Sequence, residues 1–258
     1  MKHLSKYFKS RKKALTFLLR YSKRKFSKKA FHRFRVEVKR LNALLQILHR
    51  ANPKFDFKSV QKAIRKLFKK AGPIREMQLE KDLLSEHKLL DKVPDLKSKL
   101  DKEIQKRRNE FFKSRNLART KKIKKRFRRI QKEIKNQKPL EFTHFIEDLW
   151  EEILLMIASG IDPVNAHLLR KKLKIYQYSL EILGKNNFPI HIPKIEELSS
   201  LLGAWHDRDV FLIRVEAEDL IAKVSPDERK IFTGFVESIR QESAEMFQAI
   251  QTKLAQIQ

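Results

Sequence analysis

The chain has 258 residues, 41% of them hydrophobic, enough to bury a sizeable core in one large or two small domains. Its 60 Lys and Arg against 31 Asp and Glu leave a net charge of +29, which points to a polyanionic partner. The absence of cysteine excludes disulfides, thiolate nucleophiles, iron–sulfur clusters and Cys-ligated zinc, and the five glycines lie too far apart for a GxGxxG fingerprint or a P-loop, so any phosphate has to be held by side chains.

Apolar residues recur at helical spacing almost throughout, and no stretch alternates as a half-buried strand would, so the expected fold class is all-α. A first helix covers about Leu4 to Tyr21. Ser27 is placed to cap a second, Lys28 to Ala51, which Asn52-Pro53 stops and whose apolar stripe is Phe31, Phe34, Val38, Leu41, Leu45 and Leu48. Two further helices are expected at Phe57 to Lys70 and Pro73 to Leu90, with Gly72 ending one and Pro73 in the first turn of the other. Asp95 to Asn136 reads as long, strongly basic helix with room for a break. Beyond Pro139, helices are expected at Leu140 to Ala158, Pro163 to Leu183, Pro193 to Leu202, Asp207 to Val224 and Pro226 to the C-terminus. The longest apolar run, Ile153 to Ala158, is far short of the roughly 18 residues of a membrane span, and the cationic N-terminus lacks a secretory core. A soluble, cytoplasmic protein is the expectation.

Composition changes at Pro139. Residues 1–138 hold 47 Lys and Arg and 12 Asp and Glu, net +35, whereas residues 139–258 hold 13 and 19, net −6. The expected organisation is therefore a basic helical bundle over 1–138 and a second over 139–258. The two halves repeat each other. Shifted by 135, His32-x-x-Arg35-x-x-Val38-Lys39 falls on His167-x-x-Arg170-x-x-Leu173-Lys174, and Phe34, Val38, Leu41, Leu45 and Leu48 fall on Leu169, Leu173, Tyr176, Leu180 and Leu183. A second signal recurs with a shift of 131: Leu67, Gly72, Arg75 with Glu76, and Leu79 match Leu198, Gly203, His206 with Asp207, and Val210.

At this point the chain resembles the CHAD domain family, named for its histidine-bearing α-helical fold. The resemblance rests on His32-x-x-Arg35-Val36-x-x-Lys39-Arg40-Leu41, on the His167 copy with Tyr178 and Glu181 after it, and on the two Leu/Gly/acidic segments. It departs from the family's pattern at Asn42 and Gln177, where arginine is expected, at Glu76 for Asp, and at His206 where the first copy has Arg75. The resemblance implies two four-helix bundles related by a pseudo-twofold, with basic residues along a shared surface that binds inorganic polyphosphate.

At 100° per residue, Lys28, His32, Arg35 and Lys39 fall in one arc beside their apolar stripe, with Arg40 next to it, and His167, Arg170, Lys171 and Lys174 form a similar arc. Such arcs offer a phosphate chain N–H donors and positive charge at every turn. Arg65, Lys66, Lys69, Lys70 and Arg75 are expected to add charge to the same surface from a neighbouring helix. A solvated cationic face is the plain alternative, against which the repetition weighs. Arg107, Arg108 and the run from Lys121 to Arg129 are candidates for extending an anionic track or touching nucleic acid.

Catalytic and metal readings are weaker. His206-Asp207 and Asp207-x-Asp209 look like parts of metal sites, but acidic residues in a first helical turn account for them. There is no His-Glu-x-x-His and no Gly-x-Ser-x-Gly, and Trp150 and Trp205 read as core. The expectation is a non-catalytic polyphosphate-binding protein, with no cofactor or metal and with targeting to polyphosphate granules as a corollary; the alternative is a nucleic-acid-binding helical protein using its basic N-terminal half.

Overall fold

The Ser27 hydroxyl accepts the Ala30 amide N–H at 3.3 Å and starts a helix that runs over Lys28–Ala51, as its sequence predicts. In the computed structural model, which describes residues 2–136, 140–183 and 192–256, ten helices and no strands are found among the described residues. They are α1 (Lys2–Leu18), α2 (Lys28–Ala51), α3 (Phe57–Glu86), α4 (Pro94–Ser114), α5 (Leu117–Lys135), α6 (Leu140–Ala158), α7 (Pro163–Leu183), α8 (Ile192–Ala217), α9 (Leu220–Lys223) and α10 (Pro226–Ala255). The fold is all-α, as expected. Pro139, the expected boundary between halves, lies outside the described residues.

Three elements differ from expectation, and the break allowed for between Asp95 and Asn136 is present. The first helix ends at Leu18, three residues early. The region from Asp95 to Asn136 is two helices, because the Asn116 side chain accepts the Arg119 amide and begins α5 afresh. The expected helices on either side of Gly72-Pro73 are one helix, α3, with Pro73 inside it. An interior proline costs roughly 3 kcal/mol, yet Leu67, Ala71 and Ile74 are fully buried around it, and burying one such large side chain contributes about 1.5–3 kcal/mol, so burial wins. Likewise α8 runs unbroken through Gly203, whose cost of about 1 kcal/mol is offset by the burial of Leu198, Leu202 and Trp205. Asp207 and Asp209 are therefore interior to a helix and not in a first turn, which removes the dipole explanation for them.

By contacts the chain forms two compact units, which do not coincide with its two halves: residues 1–72, 109–155 and 171–190 make unit 1, and residues 73–108, 156–170 and 191–258 make unit 2. In unit 1, α1 packs on α2 and α5. Its core holds Phe8, Phe26, Phe31, Phe34 and Phe111, with ring centroids of Phe26–Phe31 at 4.5 Å and Phe31–Phe111 at 5.1 Å in edge-on geometry. Trp150 is only half-buried there and lies against Tyr176, whose hydroxyl burial pushes up to about 12.

In unit 2, α8 packs along α10, and Phe211, Phe232, Phe235, Leu84 and Val93 form the core. Buried Glu228 of α10 accepts the amide N–H groups of Asp95 (2.6 Å) and Leu96 (3.0 Å), so a carboxylate from a distant helix caps the start of α4. Among the described residues no helix is long and apolar enough to cross a membrane.

Glu80, also in unit 2, is 1% exposed and pairs with Arg214. Burial nonetheless pushes its carboxyl up from 4.5 to about 7. The folded chain thus binds a proton that the unfolded chain releases between about pH 4.5 and 7, and this group's contribution to stability falls as pH rises through that window. Glu80→Gln should gain on the wild type by roughly 5 °C in relative Tm between pH 5 and pH 8, read by thermal melts at fixed ionic strength.

Candidate anion-binding site

Unit 1 receives most of the expected cations. On α2, Lys28 and His32 are exposed and Arg35 and Lys39 are partly exposed. Arg35 is held in place from α3: its guanidinium donates to the Phe68 carbonyl at 3.3 Å and lies 4.5 Å from the centre of the Phe68 ring. That contact sets the α3 turn carrying Arg65 and Lys69 beside α2. Both are exposed, and neither pairs with a carboxylate among the described residues. Lys171 and Lys174 of α7 also belong to unit 1, with Lys174 donating to Gln177 at 3.1 Å.

Arg40 has a different role. It pairs with Glu181 at 3.1 Å and with Glu37 at 3.7 Å, lies 5.6 Å from the centre of the Tyr178 ring, and so joins α2 to α7 inside unit 1. Glu37 is also paired with Arg11 of α1 at 3.1 Å. Burial raises the Glu37 carboxyl above its ordinary value in spite of these arginines, and it drives the nearby Tyr7 hydroxyl well above the usual phenol range. The polar pair Tyr178 and Glu181, read in the sequence only as part of a motif, thus supply Arg40's partners.

His167, Arg170 and Arg75 belong to unit 2. Arg75 pairs with Asp82 at 3.4 Å. Both ring nitrogens of His167 are engaged: Nε2 lies 2.7 Å from Asp209 Oδ2, and Nδ1 lies 2.8 Å from Nδ1 of His206. A carboxylate only accepts, so His167 donates from Nε2, and its Nδ1 is held by the hydrogen bond to His206. The Trp205 ring, 4.9 Å away between centroids, covers the imidazole. Two nitrogens on one zinc ion would stand about 3.3 Å apart. The observed contact is a hydrogen bond, and no group of three or more His, Asp or Glu is placed to hold a metal ion among the described residues.

The sequence profile of the CHAD domain family matches residues 13–216. The chain belongs to the CHAD domain family. Its structure is similar to that of the CHAD domain from the plant Ricinus communis (TM-score 0.75, 15% identity, covering 100% of this chain and 92% of that one). It is also similar to PptA from Streptomyces chartreusis (TM-score 0.67, 12% identity, 99% and 98% covered). Comparison with curated protein sequences returned no match. The family is a polyphosphate-related one, and the matched span contains both His-x-x-Arg copies of this CHAD domain and both Leu/Gly/acidic segments.

Two residues of consequence carried no weight in the sequence reading. Glu37 could have been found, since it is the only Asp or Glu in residues 1–55 and sits between Phe34 and Leu41 on the apolar side of α2. Phe68 offered no comparable signal, because its pairing with Arg35 joins two helices.

The two motif histidines should separate in thermal melts. His167→Gln breaks the link to Asp209 and His206 and should lower stability by about 1–3 kcal/mol, whereas His32→Gln, at a solvent-exposed position, should cost less. Arg40→Gln, which leaves Glu37 and Glu181 short of a partner, should cost about 3–5 kcal/mol by the same measurement.

Proposed function

We propose that this CHAD domain binds inorganic polyphosphate through side-chain cations, without turning it over, and that granule association follows from that binding. The observation that carries the reading is Arg35, fixed by Phe68 on a face of α2 and α3 that also presents Lys28, His32, Arg65 and Lys69. A guanidinium already oriented loses little freedom on meeting a phosphate oxygen, and the surrounding ammonium groups supply charge at successive turns of helix. A phosphate chain, thin and charged at every unit, suits such a row of cations better than a wide duplex does. Family membership supports the same ligand. The basic residues of α7, Arg170, Lys171 and Lys174, repeat the pattern in the second copy.

Long-chain polyphosphate should outcompete duplex DNA and RNA, charge for charge, at fixed salt; equal competition would reduce the protein to a general polycation. Affinity should fall with a log–log salt slope of several units, since about 0.7 to 0.9 of a counterion leaves per phosphate neutralised. Arg65→Glu with Lys69→Glu should weaken polyphosphate binding by at least about tenfold. The charge-matched control, Lys121→Glu with Lys124→Glu at exposed positions of α5, should lose far less. Incubation of the protein with polyphosphate and magnesium should release orthophosphate no faster than the blank.

A further inference from the structure

The basic run from Lys121 to Arg129 has no part in the proposed polyphosphate face. It belongs to α5, which carries ten Lys and Arg and a single acid, Glu133. That acid is occupied on Asn52, accepting at 2.8 Å. The apolar stripe Ile123, Phe127, Ile130 and Ile134 turns inward and leaves the cations outward. Where α5 begins, it borders a hollow of about 420 Å³ in unit 1, lined by Lys62 and Lys66 of α3 and by Asn116, Ala118, Arg119 and Lys122.

We propose that this hollow is a separate binding site for a compact oligophosphate. Four cations from two helices surround it, and Lys62, Lys66 and Lys122 have no carboxylate partner among the described residues. Like charges lining one hollow repel one another, so an anion among them relieves several repulsions at once. Arg119 is held in position, its guanidinium donating to the Ser114 carbonyl, and the short Ala118 side chain keeps the hollow open. The helix terminus itself is already capped by Asn116, so side-chain charge carries the site.

The ligand class follows from charge density. Four cations around one hollow match about four negative charges in the same small volume, which a triphosphate supplies. An acidic peptide brings one charge per residue spaced by about 3.3–3.6 Å of extended chain, and so places fewer charges in the hollow. The same chemistry is presented by a free oligophosphate and by the end of a longer chain. None of these residues belongs to the His-x-x-Arg copies, and of the four cations only Lys66 stands among the α3 cations expected on the polyphosphate face, so Lys62, Arg119 and Lys122 set the site apart from it.

The test uses the whole chain and inorganic tripolyphosphate. Limited lysine acetylation, read by mass spectrometry, should be slowed at least fivefold at Lys62, Lys66 and Lys122 and unchanged at Lys125, which is exposed on the same helix. Uniform slowing at all four lysines would overturn the proposal, as would citrate protecting equally well. Long-chain polyphosphate at the same molar concentration of chains separates the sources: equal protection identifies a chain-end site, and protection by tripolyphosphate alone identifies a free oligophosphate site. By calorimetry, Lys66→Glu with Lys122→Glu should lose at least tenfold in tripolyphosphate affinity and Lys125→Glu with Arg128→Glu less than twofold, both with wild-type circular dichroism. Equal losses from the two pairs would also overturn it.

Discussion

Twelve carboxylates have to hold together a half-chain that carries 47 cations, and where they go decides which cations are left to meet a ligand. In the folded chain they are spent largely on interior and inter-helix contacts. Glu37 takes Arg11 and Arg40, Glu80 takes Arg214, Glu110 takes Lys70, and Glu133 takes Asn52. Two of these, Glu37 and Glu80, are so far buried that desolvation raises their carboxyls despite arginine partners, which marks them as points where a lost partner is expensive. Net repulsion disfavours a compact state, so a strongly cationic bundle is stable only if its few acids sit where they neutralise several helices at once.

The consequence for function is a division of labour among neighbouring arginines and lysines on one helix. On α2, Arg40 turns toward Glu37 and Glu181, while Arg35, five residues earlier, rests on Phe68. At 100° per residue, five positions turn the helix through about 500°, so the two side chains leave it about 140° apart and meet different neighbours. A ring and a backbone carbonyl position Arg35 as carboxylates position Arg40.

The two copies of the repeat differ in how exposed the same histidine is. His32 is exposed on α2, and His167 is partly buried, with its two ring nitrogens at Asp209 and His206 under Trp205. The residues that engage His167 come from the second recurring segment, where the first copy has Arg75 in place of His206 and Gln78 in place of Asp209. A histidine so engaged spends both ring nitrogens on structure.

Fold class, the limits of α2, α6 and α7 and the family were all legible in the sequence, because helical periodicity, a Ser27 cap and motif spacing are local properties of the chain. The failures came where local preference met tertiary burial. Gly72-Pro73 reads as one helix ending and another starting, and a helix is expected to stop at Leu202, yet Leu67, Ala71, Ile74 and Trp205 gain more by being buried on continuous helices than the backbone loses. Side-chain destinations were likewise not in the sequence. That Arg40 meets Glu181, that Glu228 caps α4 and that His167 meets Asp209 each depend on helices 42 to 141 residues apart being packed together, and a charge 141 residues away leaves no mark on local periodicity.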